Sequence, residues 1–308
     1  MTINSPPEKR RRARRVQLAV PGSSEKMMAK AAASNADHVF LDLEDAVAPA
    51  EKASARMKVV EALKSLDWGR KTRCVRINDL GTAWCYEDVI AVVEGAGERL
   101  DTIMLPKALR AADVIFLDTL LSQIEKKLSL KRRIGIEVLI EEVQGLENAA
   151  EIARASERTE CLIFGMGDYS ASHGIDYRVL LDTGSYPGDL WHYARWRIVM
   201  AARSAGIDAV DGPFANLADN RGYFEECRKA LATGCVGKWA LHPSQIDAAI
   251  SVFTPAAEDV ARVRKITAAY EQAVAKGLGA VDIGGMMADA ATVRILRSTL
   301  DKADLYGL

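Results

Sequence analysis

Along the chain, short apolar runs rich in Val, Ile and Leu alternate with longer segments whose apolar residues recur every three to four positions. The runs fall at 16–20 (VQLAV), 38–44 (HVFLDLE), 73–78 (RCVRIN) and 102–107 (TIMLPK). Four more follow at 134–141 (IGIEVLIE), 161–167 (CLIFGMG), 208–213 (DAVDGP) and 235–243 (CVGKWALHP). They are nearly continuous rather than alternating, as in strands buried on both faces of a parallel sheet. Between them, EKASARMKVVEALKSL (51–66) puts Val59, Val60 and Leu63 on one helical face, and 111–127 and 190–205 repeat the pattern. Strand then helix, repeated, predicts a parallel sheet, because parallel neighbours need crossovers of this length. Eight such units favour a closed (β/α)8 TIM barrel over an open doubly wound sheet, although seven or nine strands fit the same runs.

A bare barrel needs about 250 residues, and this chain has 308. The surplus follows the eighth run: a helix over 255–275, a Gly-rich break at 276–285 (KGLGAVDIGG) and a last helix from about 287 to 305, with no further strand expected. The chain thus divides into a basic N-terminal arm (1–15), a catalytic barrel (16–250) and a C-terminal helical extension (251–308).

Charge and composition narrow the class. The formal charge is −1, with 49% hydrophobic and 27% charged residues, which excludes disorder as the main state and disfavours a nucleic-acid binder. No apolar run reaches the 18 residues of a membrane span, and the run after MTINSPPEKRRRARR is too short for a signal peptide. That basic cluster reads as a solvated arm, with a polyanion or CoA phosphate contact as the alternative. The five scattered cysteines form no CxxC pair; they read as small core residues of a cytoplasmic protein, without disulfides or zinc.

In a barrel, catalytic side chains sit at the C-terminal ends of strands. There the sequence offers Asp42, Glu44 and Asp45; Arg76 and Asn78; Lys107; Glu137, Glu141 and Glu142; Asp168; Asp211; and His242. This excess of carboxylates suits a hard divalent cation, most simply Mg2+. Glu141 and Asp168 form the best metal pair, each closing an apolar run on adjacent strands; the competing reading is that they cap the following helices. In GMGD (165–168), glycines allow close backbone approach, and exposed N–H groups there suit a carboxylate. Arg76 lies in an otherwise apolar strand and needs a partner, Glu44 or Asp45, to which function adds a substrate carboxylate or developing oxyanion. His242 reads as structural, and His38, His173 and His192 lack metal or triad spacing. GxSxG, Walker A, dinucleotide-binding and HExxH motifs are absent. The residues alone point to a metal-assisted barrel enzyme for a small acidic substrate.

The ordered set VFLDLEDAVAPAEKASAR, VRIN, IMLPKA, IEVLIEEVQGL, FGMGDYSAS, VDGPFANL and VGKWALHPSQI resembles the malyl-CoA lyase group, within the wider family of citrate lyase β subunits and citramalyl-CoA lyases. The resemblance runs from about residue 16 to residue 300. It implies a (β/α)8 barrel and a Mg2+-dependent (Mn2+ as substitute) retro-Claisen cleavage of a 3-hydroxyacyl-CoA thioester. By motif, it makes Glu141 and Asp168 the metal ligands and Arg76 the residue that holds the keto oxygen and enolate. The N–H groups of Met166 and Gly167 would receive the 2-oxo acid's carboxylate. Glu44 and Asp45 would orient Arg76 and a water on the metal, and Lys30 would lie near the CoA phosphates. GGMMADAATV (284–293) resembles a segment that carries a catalytic aspartate into a neighbouring subunit's barrel. That makes Asp289 its counterpart, the extension a lid, and the protein a homo-oligomer, trimer or hexamer. One departure is Ser24, where malyl-CoA lyases carry an arginine. The resemblance also admits a malyl- or citramalyl-CoA thioesterase and a citryl- or citramalyl-CoA lyase.

Overall fold

The computed structural model describes residues 11–181 and 188–308. Eight parallel strands close into one barrel: β1 (Val16–Pro21), β2 (His38–Asp42), β3 (Thr72–Arg76), β4 (Thr102–Leu105), β5 (Gly135–Ile140), β6 (Thr159–Phe164), β7 (Asp208–Asp211) and β8 (Gly237–Ala240). β8 pairs back onto β1, with Val16 opposite Lys238. Strand residues are buried on both faces, which explains the unbroken apolar runs. Outward-facing side chains pack under the surrounding helices in the main core. Phe40, Cys74, Met104, Leu139, Cys161, Ile163, Val210 and Trp239 fill the barrel's interior in a separate cluster.

The helices follow the expected periodicity. The segment expected over 51–66 is the helix Lys52–Ser65, with Val59, Val60 and Leu63 buried on one face. Ala111–Leu128 and His192–Ser204 likewise match their segments to within two residues. All five cysteines are free and buried. Among the described residues no helix is long and apolar enough to cross a membrane.

The strands are shorter than the apolar runs, mainly at their C-terminal ends, so Glu44, Asn78, Lys107 and Glu141 stand just beyond the ladders, around the barrel mouth. Two expected mouth residues are elsewhere. Glu137, early in β5, is buried near the floor, where it accepts hydrogen bonds from Arg14 and Gln17. Asp211 is fully buried between Arg195 and Lys238, 2.5 Å from the Lys238 Nζ. Glu137 sits low on β5, below the rim; Asp211, although last in β7, alternates with the interior-facing Val210 and so points outward to the helix that carries Arg195.

The basic arm also departs from expectation. Residues 1–10 lie outside the described residues, but the next segment is not solvated. Arg14 is fully buried, with its guanidinium 2.8 Å from Glu160, 3.1 Å from Asp208 and 3.2 Å from Glu137. Arg12 is buried against Asp101 and Glu160. These arginines plug the barrel floor, because strands β5 to β7 begin with carboxylates that need cations where water is excluded.

After the barrel come the helices Ile246–Phe253 and Ala257–Ala275, and then an antiparallel hairpin that the sequence pattern missed: β9 (Ala280–Ile283) and β10 (Met286–Asp289). Its turn is Gly284–Gly285, both at positive φ (63° and 85°), the two-residue connection that matches strand twist. The last helix is Ala290–Tyr306. Its far end lies under the barrel floor, with the Arg15 guanidinium 4.4 Å over the Tyr306 ring and Arg11 3.1 Å from Asp301.

Candidate active site at the barrel mouth

The mouth is organised by the register of β2 against β3, which sets Asp42 opposite Arg76 at the last rung. Both side chains therefore point inward at one level. Arg76 donates from Nε and Nη2 to the two Asp42 oxygens, at 2.7 and 2.6 Å, a bidentate pair. Burial alone would raise the Asp42 carboxyl, but Arg76 and the N–H groups of Glu44 and Ala46 hold it below the usual carboxylate range. The guanidinium also lies 5.7 Å from the Trp239 ring centroid and 5.9 Å from that of Phe40. Its remaining nitrogen, Nη1, faces Glu44 at 2.9 Å and Asp45 at 3.7 Å.

The LED turn is itself pinned. Lys52 Nζ donates to the carbonyls of Leu43 (2.8 Å) and Glu44 (2.7 Å), and Asn78 Nδ2 to that of Leu43 (3.0 Å). Glu44 is buried, and its Oε2 accepts no hydrogen bond although Arg76 is close. Burial, relieved in part by Arg76, leaves the Glu44 carboxyl raised to about 7.

Across the mouth, Glu141 follows β5 and Gly165 follows β6, whose last rungs pair Ile140 with Phe164. The ladder continues as Gly165 N–H donates to the Ile140 carbonyl at 3.0 Å. A Cβ on Gly165 would stand 2.5 Å from both Cβ and Oε2 of Glu141, so only glycine admits that carboxylate. Burial, aided by the Glu44 carboxylate, pushes Glu141 up to about 8. Asp168 stands in the first turn of the helix Met166–His173, half-exposed on the same rim. No side chain caps that helix, so the N–H groups of Met166 and Gly167 open onto the mouth. Gly165→Ala should displace the Glu141 side chain and cost about 1–3 kcal/mol of stability, readable as a lower melting temperature.

The mouth is rich in negative charge. Asp42, Glu44, Asp45, Glu141 and Asp168 face Arg76, Lys107 and Lys52, so five carboxylates meet three cations. When all are ionised, the excess is the charge one divalent cation cancels. A second group of ligating side chains, His38, Cys74 and Glu137, lies inside the barrel with its ligating atoms within 4.8 Å of one another. Arg14 already neutralises that carboxylate, which argues against a cation there.

A model of the HpcH/HpaI aldolase/citrate lyase family matches residues 15–243, the barrel and the whole mouth. The chain belongs to this family. It is a lyase of the citrate lyase and malyl-CoA lyase kind. It is 41% identical to an L-malyl-CoA/beta-methylmalyl-CoA lyase of Cereibacter sphaeroides, over 99% of each chain. It is 36% identical to a citrate lyase subunit beta of Leuconostoc mesenteroides subsp. cremoris, over 92% of this chain and 90% of that one. Among solved structures, protein CitE of Mycobacterium tuberculosis, in complex with magnesium, acetoacetate and coenzyme A, superposes with a TM-score of 0.74. The two chains are 33% identical, over 94% of this chain and 97% of that one.

Within this family member, Arg76, Glu44, Asp45, Glu141, Met166, Gly167 and Asp168 come together at one mouth. Lys30 does not join them; it is exposed in the last turn of the helix Glu25–Ala32, whose N-terminus Ser24 caps. Asp289 is apart as well. It caps the last helix, accepting from Thr292 N (2.8 Å) and Oγ1 (3.0 Å). A helix of this length spans about 25 Å, and its other end is at the barrel floor. The sequence reading missed Asp42 as the chief partner of Arg76 and missed the aromatic bed of Phe40 and Trp239. It named Lys107 without a role. The signal for Asp42 was present in LDLED, but choosing among its three acids requires the register. His242 is exposed and accepts from Ser244 N, a structural use.

Proposed function

We propose that this chain cleaves, or in reverse forms, the carbon–carbon bond of a 3-hydroxyacyl-CoA such as malyl-CoA or β-methylmalyl-CoA. The products would be acetyl- or propionyl-CoA and glyoxylate. The observation that carries this reading is the meeting of Arg76, the Glu141–Asp168 pair and the open N-terminus of the helix Met166–His173 on one rim. Identity to L-malyl-CoA/beta-methylmalyl-CoA lyases along the whole chain supports the substrate class.

Glu141 and Asp168 fit a magnesium ion: both are oxygen donors on one rim, Gly165 makes room for one, and the cluster carries the compensating charge. Bound there, Mg2+ (or Mn2+) supplies Lewis-acid polarisation of the substrate's hydroxyl or keto oxygen. The N–H groups of Met166 and Gly167 would receive the 2-oxo acid carboxylate. Arg76, immobilised by Asp42, would face the oxygen on which enolate charge develops as the bond breaks. Glu44 and Asp45 would orient its free nitrogen. In cleavage a base at the mouth would take the 3-hydroxyl proton as the bond breaks, and Asp289, brought by the extension of a neighbouring copy acting as a lid, would protonate the enolate carbon. In condensation Asp289 would remove that carbon's proton and the hydroxyl would regain one. Lys30 would remain free for the CoA phosphates.

Incubation with malyl-, methylmalyl-, citramalyl- and citryl-CoA in the presence of Mg2+ tests the reading. A lyase releases an oxo acid, trappable as a hydrazone, with the thioester intact. Free thiol without glyoxylate would instead assign a thioesterase, and release of pyruvate or oxaloacetate a citramalyl- or citryl-CoA lyase.

Metal affinity should depend on pH in a definite direction. Glu44 and Glu141 are raised to about 7 and about 8, so they hold protons a metal must displace. Mg2+ affinity should rise from pH 6 to pH 8, by about tenfold per unit for each proton released. Because the folded state holds these protons more tightly than the unfolded chain, stability without metal should fall as pH rises from the ordinary carboxylate range towards 8. Mg2+ should restore it most at the alkaline end, as melting temperatures with and without chelator would show.

A further inference from the structure

Lys107 is one of two non-glycine residues at positive φ (48°) among the described residues, a conformation a long side chain adopts only when its surroundings impose it. Those surroundings are the carboxylates of the mouth. Its backbone N–H donates to Glu141 Oε1 at 2.9 Å. Its Nζ lies 2.6 Å from Glu44 Oε1, 3.3 Å from Asp168 Oδ2 and 3.7 Å from Asp45 Oδ1. One residue at the end of β4 thus contacts acids delivered by β2, β5 and β6. The side chain is partly exposed, so the ammonium can leave Asp168 for solvent without unfolding its loop.

The two contacts differ in what they permit. Glu141 has a second oxygen, so the backbone bond can persist while that carboxylate binds a cation. The Asp168 contact cannot persist unchanged, because an ammonium on Asp168 repels a divalent ion held by the same group. We propose that Lys107 is a built-in competitor for the metal: its ammonium holds Glu44 and Asp168 in position and must give up Asp168 when the divalent cation binds. This rests on the assignment of Glu141 and Asp168 as metal ligands. In this arrangement Lys107 trades metal affinity for a pre-formed site, since without it the acids would repel one another apart.

The test is Mn2+ binding without substrate, followed by electron paramagnetic resonance of the free ion, with Mg2+ calorimetry alongside. Lys107→Met should bind Mn2+ at least tenfold more tightly than the parent. After chelator treatment it should melt at a lower temperature than the parent, and Mg2+ should erase that difference. Lys107→Asn, neutral and tolerant of the left-handed backbone, should show the same tightening if the methionine variant folds poorly. Lys107→Arg should bind no more tightly than the parent. A merely structural lesion would weaken binding, whereas loss of an ammonium that opposes the cation tightens it. Equal or weaker binding by both neutral variants, with clear binding by the parent, overturns the competitor role and leaves the metal site standing. No binding by the parent or any variant at millimolar Mn2+ overturns the metal site, and this proposal with it.

Discussion

Replacing Arg76 by lysine is expected to lower kcat about a hundred- to a thousandfold while leaving Mg2+ affinity within a few-fold of the parent's. The guanidinium spends two nitrogens on Asp42 and keeps a third facing Glu44 and Asp45 at the mouth. A lysine can neutralise Asp42, but its single ammonium cannot also present a second fixed donor to the mouth. Alanine is the poorer probe: it leaves Asp42 buried without its cation, at a cost of about 3–5 kcal/mol. Steady-state kinetics and a melting curve on the same preparation separate the two effects. Near-parental turnover with lysine at position 76 would reduce Arg76 to a structural partner of Asp42.

A comparable loss, about a hundred- to ten-thousandfold, is expected for Asp289→Asn. Asparagine keeps the cap on Thr292, so the last helix should be unharmed and metal binding retained. What distinguishes this residue is its distance from the mouth within its own chain. The variant should therefore be rescued by a second inactive one. Co-expression of Asp289→Asn with Glu141→Gln puts intact barrels beside intact extensions at about a quarter of sites in a randomly mixed oligomer. Recovery of that order supports delivery between subunits. Activity that stays at the level of the separate variants would reject it.

The barrel was legible because both-face burial writes itself as continuous apolar runs, and the helices because Val59, Val60 and Leu63 repeat at helical spacing. The mouth was legible where a charged residue stands one or two positions past a strand, as with Glu141 and Lys107. Height and facing along a strand are harder to read. Glu137 sits low in β5 and meets Arg14 at the floor, and Asp211, last in β7, faces outward to Arg195 and Lys238. The hairpin of the extension was missed because its strands have four residues each and half-exposed faces, and only the paired glycines mark it. The buried arginines of the arm were missed because each pairs with acids at least 89 positions away, and one sequence gives no sign of such pairings.

That last feature bears on how the protein is made. Arg14 leaves the ribosome before its partners: Glu137, Glu160 and Asp208 follow 123, 146 and 194 residues later. At about 5–20 residues per second, the plug waits roughly 10–40 s for its final partner. Until then a run of unpaired arginines stays free to bind any polyanion near the nascent chain, nucleic acid included. Sealing of the floor can therefore be completed only after β7 has emerged.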